Sequence, residues 1–320
     1  MGLSITFIII GKNEGIKIKK CLTSVFATIE KNALEKTEVI YVDSDSDDES
    51  IDLALAFSDV KVIKISGEIN AAIARNEGAK CATKDILFFI DGDMEVNPDF
   101  LPLVVSPQSE LIYEFISGDF ISVDQSGSQV KYHGLNKDVY MSTTGGVFIT
   151  YKRIWDQLGG MKPKFRRSQD IDFGLRMSRT GKKLLRKKDI IAYHHTVFYH
   201  SKKRLWKDLF NNNQLFQKSV LFRDHIFNQH IYLFILREIT LMSLVLSLYL
   251  TISRGNVLFL FVFLMMIVVK VIYKRDKLVD PTSMLRSILY YTILDIQVLF
   301  GLFLFWPSNK KKYDIQSIRT

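Results

Sequence analysis

The first 90 residues alternate short apolar runs with segments whose apolar residues recur at helical spacing. The apolar runs, which are typical of strands covered on both faces, lie at residues 5–10, 38–42, 60–65 and 86–90. The segments with helical spacing lie at residues 16–29, 49–57 and 71–82. Four strands separated by helices predict a parallel sheet with right-handed crossovers, which is an α/β fold.

Residues 105–179 continue the pattern less regularly. Further strands, separated by turns rich in Gly and Ser, are predicted at 111–116, 120–123 and 147–150. Helices are predicted at 151–158 and 169–179.

The last third of the chain is much more apolar. Residues 206–228 mix Phe, Leu and Trp with Lys, Arg and Asn, which predicts an amphipathic helix on a membrane surface. Three apolar stretches follow at 231–252, 257–273 and 285–306, and each is long enough, or nearly so, to span a bilayer. A buried helical bundle of a soluble protein is the alternative, but apolar residues on every helical face favour membrane attachment.

These patterns divide the chain into three parts. We expect a catalytic domain at residues 1–204, an interfacial region at 205–230 and membrane helices at 231–320. Basic residues at 274–277 and 310–312 leave two arrangements open, either two spans plus an interfacial helix or three spans. No signal peptide is expected at the start of the chain.

The net charge of +9 is unevenly distributed. Residues 1–160 carry 15 Lys and Arg against 24 Asp and Glu, whereas residues 161–230 carry 17 against 5. An acidic first half argues against a nucleic-acid-binding protein. With only Cys21 and Cys81, neither a disulfide framework nor a four-cysteine zinc site can form.

Acidic and polar residues follow three of the predicted strands. Asn13 and Glu14 follow the first strand, Asp43 the second, and Asp91 and Asp93 the fourth. In an open parallel sheet these positions meet at one edge, where ligands bind. So many carboxylates together favour a cation, and two hard oxygen ligands suit Mg²⁺ or Mn²⁺. Asp-Gly-Asp is also a common turn, and Ser46 or Asp47 could simply cap the helix that starts near Glu49.

A second candidate cluster lies in the basic segment. Asp170 and Asp172 are surrounded in sequence by arginines, which would keep a carboxylate ionised as a general base. An ordinary helix start with salt bridges is the alternative. His194, His195 and His200 could add a ligand, but adjacent histidines point in different directions, which disfavours a three-histidine zinc site.

Taken in order, the motifs resemble one enzyme family. They are GKNEG, VDSDSDDES, AAIARNEGA leading into FIDGD, TGGVFITYKRIWDQLGG and QDIDFGLR. Over roughly residues 5–200 they resemble the family 2 glycosyltransferases, whose GT-A fold is a Rossmann-like, mostly parallel sheet. The resemblance implies inverting transfer of a sugar from a nucleotide diphosphate sugar, with Mn²⁺ or Mg²⁺ as cofactor.

The resemblance also implies roles for individual residues. The nucleotide pocket would contain Asn13, Glu14, Asp43, Arg75 and Asp91. Asp91 and Asp93 would form the DxD metal pair, His200 would be a further metal or diphosphate ligand, and Asp170 would be the catalytic base.

Some positions depart from the family pattern. Gln169 stands where many relatives have Glu, which removes a charge beside the base. The QxxRW pattern of processive polysaccharide synthases is missing, and MEVNPDF replaces the string typical of polyprenyl-phosphate sugar synthases. The expected function is therefore sugar transfer to a lipid-linked or cell-envelope glycan at the cytoplasmic face of the cell membrane. The sugar, the acceptor and the linkage stay open.

Two other functions compete with this prediction. One is a catalytically silent module that binds a nucleotide sugar or anchors an assembly at the membrane, although retention of the DxD pair and Asp170 argues against it. The other is a nucleotidyltransferase, which is disfavoured because GKNEG is not a glycine-rich phosphate loop.

Overall fold

The computed structural model describes residues 2–124, 128–132, 134–141, 143, 145–195, 216–273 and 281–319. The chain forms two compact units. The first contains residues 1–199 together with 308–320, and the second contains residues 200–307.

The first unit is an α/β domain around a mixed sheet, which confirms the predicted fold class. Its strands are β1 (Ser4–Gly11), β2 (Lys36–Asp43), β3 (Val60–Gly67), β4 (Ile86–Asp91), β5 (Met94–Val96), β6 (Phe115–Val123), β7 (Gln129–Tyr132), β8 (Val139–Met141), β9 (Phe148–Tyr151), β10 (Leu184–His195) and β11 (Tyr313–Arg319). Its helices are α1 (Ile16–Lys31), α2 (Ser50–Leu55), α3 (Ala71–Cys81), α4 (Lys152–Gln157) and α5 (Gln169–Ser178). The strand order is β11-β3-β2-β1-β4-β9-β6-β10-β5, and β1 to β4 are mutually parallel where they pair.

Strand β1 lies between two hydrophobic cores because its residues alternate between the faces of the sheet. Phe7 packs in the core on one face, where its ring lies 5.4 Å from that of Phe88. Ile8 packs in the opposite core with Phe89. Helix α3 lies so close to this second face that a Cβ at Gly78 would collide with Ile8. Burial on both faces explains why β1 to β4 appear in the sequence as mostly apolar runs.

Three features of the sheet differ from the sequence prediction. Of the strand expected at 111–116 only residues 115 and 116 are extended, and they form one strand, β6, with the strand expected at 120–123. Four strands were not predicted, namely β5 and β10, which pair with each other, and β7 and β8. Strand β11 was also missed, because the domain prediction placed residues 308–320 with the membrane helices whereas the structure places them in the sheet.

The second unit is helical over its described residues. Its α-helices are α6 (Phe216–His225), α7 (Tyr232–Leu236), α8 (Ile239–Arg254), α9 (Leu260–Tyr273) and α10 (Pro281–Leu304). The apolar stretches of the sequence correspond to α7 with α8, to α9 and to α10. Residues 205–215 of the predicted amphipathic segment lie outside the described residues.

By length and composition, one described helix is able to cross a membrane, namely Met284–Leu304 with a mean hydropathy of 1.7. The segments Gln229–Leu236 and Ile239–Arg254 pass the same test only when taken together, and they are bent by 84° at their junction. Val257–Tyr273 is apolar but shorter.

Candidate active site

The carboxyl ends of β1, β2 and β4 meet at one edge of the sheet. In the strand register Gly11 pairs with Asp43, and Ile10 pairs with Asp91. The polar residues that follow these strands in the sequence are therefore brought to one edge. Backbone bonds extend the pairing, since the Ser44 and Gly92 amides donate to the carbonyls of Gly11 and Ile10 at 2.9 and 2.8 Å.

The loops after β1 and β2 are tied together by side-chain hydrogen bonds. The backbone N–H of Asn13 donates to Ser46 Oγ at 2.9 Å, and the side-chain Oδ1 of Asn13 accepts a bond from the backbone N–H of Asp47 at 3.0 Å. The amides of Glu14 and Gly15 donate to Ser50 Oγ at 3.0 and 2.9 Å. Asn13 adopts a left-handed backbone (φ 54°), which asparagine tolerates better than most residues. These four hydrogen bonds tie the two loops to each other.

Asp43 is fully buried beneath these loops. Its carboxylate accepts bonds from the Ser46 amide, Ser46 Oγ and the Tyr41 hydroxyl at 2.8, 2.6 and 2.8 Å. Burial and the adjacent Asp43 carboxylate raise the pKa of Tyr41, which keeps its hydroxyl a donor. In this structure Asp43 therefore supports the loop that carries Ser46.

The start of α2 uses part of the acidic run, as the sequence alternative allowed. Asp48 Oδ1 accepts a hydrogen bond from the Ser50 amide at 3.0 Å. The capping position is Glu49, whose side chain makes no cap hydrogen bond, so neither Ser46 nor Asp47 caps this helix.

Asp91 is paired with a buried arginine. Arg75, on α3, places Nη2 2.5 Å from Asp91 Oδ1, and only 5% of the Arg75 side chain is exposed. Burial raises the pKa of Asp91, and the neighbouring Asp93 carboxylate adds to the rise, whereas Arg75 and His194 oppose it. Gly146 lies directly over the same carboxylate, since a Cβ there would collide with Asp91 Oδ2.

Replacing Gly146 by Ala is expected to displace the Asp91 carboxylate and to lower the activity expected from the sequence by about 10²-fold, the usual cost of a misplacement of about 1 Å in an active site. The measurement is kcat/KM for transfer, together with the thermal midpoint.

Gly145→Ala is the matched control. A Cβ at Gly145 would have no described residue within 4 Å, although its φ of +69° makes the substitution cost about 1 kcal/mol of stability. We expect Gly145→Ala to lose stability and keep its activity. Equal activity in the two variants would contradict the close approach of Gly146 to Asp91.

Asp93 contacts His194, one of the three histidines that the sequence offered as possible ligands. Strand β5 pairs with the end of β10, with His194 opposite Met94, and this pairing brings His194 Nε2 within 3.0 Å of Asp93 Oδ2. Burial lowers the pKa of His194, but the bond to Asp93 and the charges of Asp93 and Asp91 outweigh it, so the net shift is upward. The neighbouring His195 hydrogen-bonds Glu95 instead.

Glu14 adds a third carboxylate to this edge. Burial raises its pKa, and Asp93 and Asp91 raise it further, whereas Lys17, whose Nζ lies 3.2 Å from Glu14 Oε2, opposes the shift. Cys21 lies buried behind the same group, and its pKa is raised by burial and by the surrounding carboxylates. The edge therefore carries a concentration of negative charge.

A second set of contacts fixes the loop at residues 158–161. Arg176 on α5 donates to the carbonyls of Leu158 and Gly160 at 2.5 and 2.7 Å, and its Nε lies 2.9 Å from Asp172 Oδ2. Asp172 is fully buried, and Lys162 Nζ lies 3.6 Å from its other oxygen. Asp172, on α5, therefore supports this loop by holding Arg176.

The same loop connects α5 to Arg75. The Met161 amide donates to Asn76 Oδ1 at 2.9 Å, Asn76 Nδ2 donates to the Met161 carbonyl at 2.7 Å, and Met161 Sδ lies 4.0 Å from Arg75 Nη1. A continuous set of contacts thus runs from Asp91 through Arg75 to α5. Asp170 lies half-buried in the first turn of that helix.

One predicted ligand is not placed, because His200 lies outside the described residues. The other residues proposed from the sequence divide into two groups. Asn13, Glu14, Asp43, Arg75, Asp91 and Asp93 lie at the sheet edge, and Asp170 lies on α5.

Comparison with known protein families agrees with this arrangement. The family model described as Glycosyl transferase family 2 matches residues 6–193. The chain belongs to this family. This result confirms the resemblance seen in the sequence motifs and makes the protein a glycosyltransferase by family.

Solved structures similar to this glycosyltransferase differ strongly in sequence. One, described as "GalNAc-T7 with UDP, GalNAc and Mn2+", is 18% identical and has a TM-score of 0.48 over 62% of this chain and 44% of that one. Another, TarS of S. aureus, is 14% identical and has a TM-score of 0.49 over 70% of this chain and 43% of that one. The chain thus spans less than half the length of either protein. No curated protein is significantly similar to it in sequence.

The family implies a divalent metal, and the donor atoms at the sheet edge are suitable for one. Among the described residues, no group of three or more His, Cys, Asp or Glu side chains forms a metal site. Mg²⁺ and related ions are usually held by one or two carboxylates plus substrate phosphates rather than by an all-protein cage. The adjacent Asp91 and Asp93, with their surplus of negative charge, fit that pattern.

Proposed function

We propose that this glycosyltransferase transfers a sugar, with inversion, from a nucleotide diphosphate sugar to a glycan acceptor. The observation that carries the proposal is the meeting of Asn13, Glu14, Asp91 and Asp93 at one sheet edge, with Arg75 paired to Asp91. In an open α/β sheet this edge is the ligand-binding crevice.

The nucleotide would bind against the two tied loops after β1 and β2. Asn13 and Glu14 offer polar atoms there, and Asp43 contributes by holding Ser46 and its loop in place. A rigid loop lowers the entropy lost when a ligand binds. Arg75 would orient Asp91 beneath the diphosphate rather than contact it directly, because its guanidinium is buried.

Asp91 and Asp93 would hold Mn²⁺ or Mg²⁺, which stabilises the negative charge that develops on a diphosphate leaving group. His194 would orient Asp93 through their 3.0 Å hydrogen bond.

The protein's own chemical step would be one proton transfer. Asp170 would accept the proton of an acceptor hydroxyl while that oxygen bonds to the anomeric carbon and the bond to the nucleoside diphosphate breaks. One carboxylate is enough for inversion by direct displacement. Asp170 lies in the first turn of α5, the helix whose Arg176 holds the loop that reaches Arg75 through Met161.

We further propose that the helical unit binds a membrane and that the acceptor is a lipid-linked or cell-envelope glycan. Only 17% of the apolar window of Met284–Leu304 is buried. The core helix of a soluble bundle would be mostly buried, so this exposure favours a lipid environment. The catalytic domain would face the cytoplasm, where nucleotide sugars are made.

A panel of nucleotide sugars tests the donor assignment. With Mn²⁺ present, one nucleotide sugar should raise the melting temperature, and at 100 times its Kd the stabilisation is about 2.7 kcal/mol. The same compound should be slowly hydrolysed to a nucleoside diphosphate, and chelation of the metal should reduce both effects. Failure of every nucleotide sugar in both measurements, or preferential binding of a nucleoside triphosphate with release of pyrophosphate, would overturn the proposal.

A further inference from the structure

The end of the chain returns to the catalytic sheet after the apolar helices. Strand β11 lies antiparallel to β3, with Tyr313 opposite Gly67 and Ile315 opposite Ile65. Because β11 is the first strand in the sheet order, it covers the edge that β3 would otherwise expose.

Side chains at both ends of β11 strengthen this pairing. The Tyr313 hydroxyl donates to Glu77 Oε1 at 2.7 Å. At the other end the Arg319 guanidinium donates to the carbonyls of Leu55 and Val60, each at 2.9 Å. The Lys312 amide donates to Glu68 Oε2 at 3.1 Å. The last residues are therefore an integral part of the catalytic domain.

This connectivity restricts how the segment between the two parts meets a bilayer. Residues 200–307 leave the first unit and lead back into it at residue 308. A bilayer cannot pass through a hydrogen-bonded sheet, so β11 and the rest of the catalytic domain are on one side. The connecting segment at 196–215 is too polar to cross by itself, since it includes Lys202, Lys203, Arg204, Lys207 and Asp208.

The helical unit presents a wide apolar surface that suits a bilayer. Exposed side chains continue along α8, α9 and α10, with Ile252 82%, Met265 67% and Phe303 71% exposed. Aromatic residues lie at two helix ends, Tyr273 at 89% and Trp306 at 70% exposure, as expected near a membrane interface. The three lysines at 310–312 follow Trp306 closely and suit an anionic membrane surface.

We propose that residues 200–307 enter and leave the membrane on the catalytic side and therefore cross it an even number of times. This inference rests on the proposed membrane attachment. It excludes three complete spans, one of the two arrangements that the sequence left open. It also places Lys310–Lys312 on the side of the catalytic domain.

Cysteine labelling of the full-length protein in sealed vesicles of both orientations tests the inference. Cys81 is exposed on the catalytic domain and Cys21 is buried, so the wild-type protein reports the side of that domain to a membrane-impermeant maleimide. Cys81→Ser with Ser317→Cys moves the exposed thiol to β11, and Cys81→Ser alone gives the background. Ser308→Cys in the same background is a second reporter of the tail.

Both reporter positions should be labelled in the same vesicle orientation as Cys81 and be protected in the other until detergent is added. Labelling of residues 317 and 308 only from the side opposite to Cys81 would overturn the even count. Recovery of the protein in the soluble fraction after an alkaline wash would instead overturn membrane attachment itself. Neither result bears on donor binding, which is measured separately.

Discussion

Asp91→Asn is expected to lower kcat for sugar transfer by about 10²- to 10³-fold, the usual cost of removing one charge-stabilising group from an active site. The amide keeps a hydrogen-bond acceptor for Arg75 but removes the negative charge needed to hold a cation. Steady-state kinetics over a range of Mn²⁺ concentrations measures the effect. The variant should need more Mn²⁺ for half-maximal activity.

Asp99→Asn is the control for this substitution. Asp99 is exposed and lies 2.6 Å from Lys31 Nζ at the surface, where an ion pair contributes about 0–1 kcal/mol. Its activity should equal that of the wild-type protein. Full activity of Asp91→Asn would remove the DxD pair from the proposed mechanism.

Asp170→Asn is expected to lower kcat by about 10²- to 10⁴-fold, the range for loss of a general base. Asparagine fills the same volume but cannot accept the acceptor's proton. Because the nucleotide sugar is proposed to bind at the sheet edge rather than at Asp170, the rise in melting temperature that it causes should be unchanged in this variant. Asp156→Asn, at an exposed position paired with Lys152, is the matched control.

Asp172 distinguishes a catalytic carboxylate from a structural one on the same helix. Asp172→Asn removes the fully buried charged partner of Arg176, whose side chain is 13% exposed, and breaking a buried pair costs about 3–5 kcal/mol. It should lower the melting temperature sharply, whereas Asp170→Asn should not. If Asp170→Asn transferred sugar at the wild-type rate, another group would have to be the base.

The sheet edge could be predicted from the sequence because each part of it is local. Apolar runs that are followed by Asn13, Asp43 and Asp91 mark strand ends, and parallel topology brings these strand ends together without further information. Arg75 was named only by family resemblance. Its pairing with Asp91 depends on the packing of α3 against the sheet, which no local pattern specifies.

The parts that were missed depend on contacts distant in sequence. Strand β10 contains Arg186, Lys187 and Lys188, so it lacks the apolar run of a central strand, and His194 meets Asp93 only through pairing with β5. Strand β11 follows three apolar stretches, and its short, mostly polar sequence at an exposed sheet edge is hard to distinguish from an unstructured terminus. Asp170 and Asp172 lie in the same sequence context, and only the burial of Asp172 in the structure shows that their roles differ.

The position of β11 also affects the order in which the protein can fold during synthesis. Arg319 and Val60, which are hydrogen-bonded, are 259 residues apart in the chain. The strands that lead to Asn13, Asp43 and Asp91 leave the ribosome early, but the β3 edge of their sheet stays open until residues 313–319 are released. By then every apolar helix has been made, so the catalytic domain is completed only after its helical unit has been synthesised.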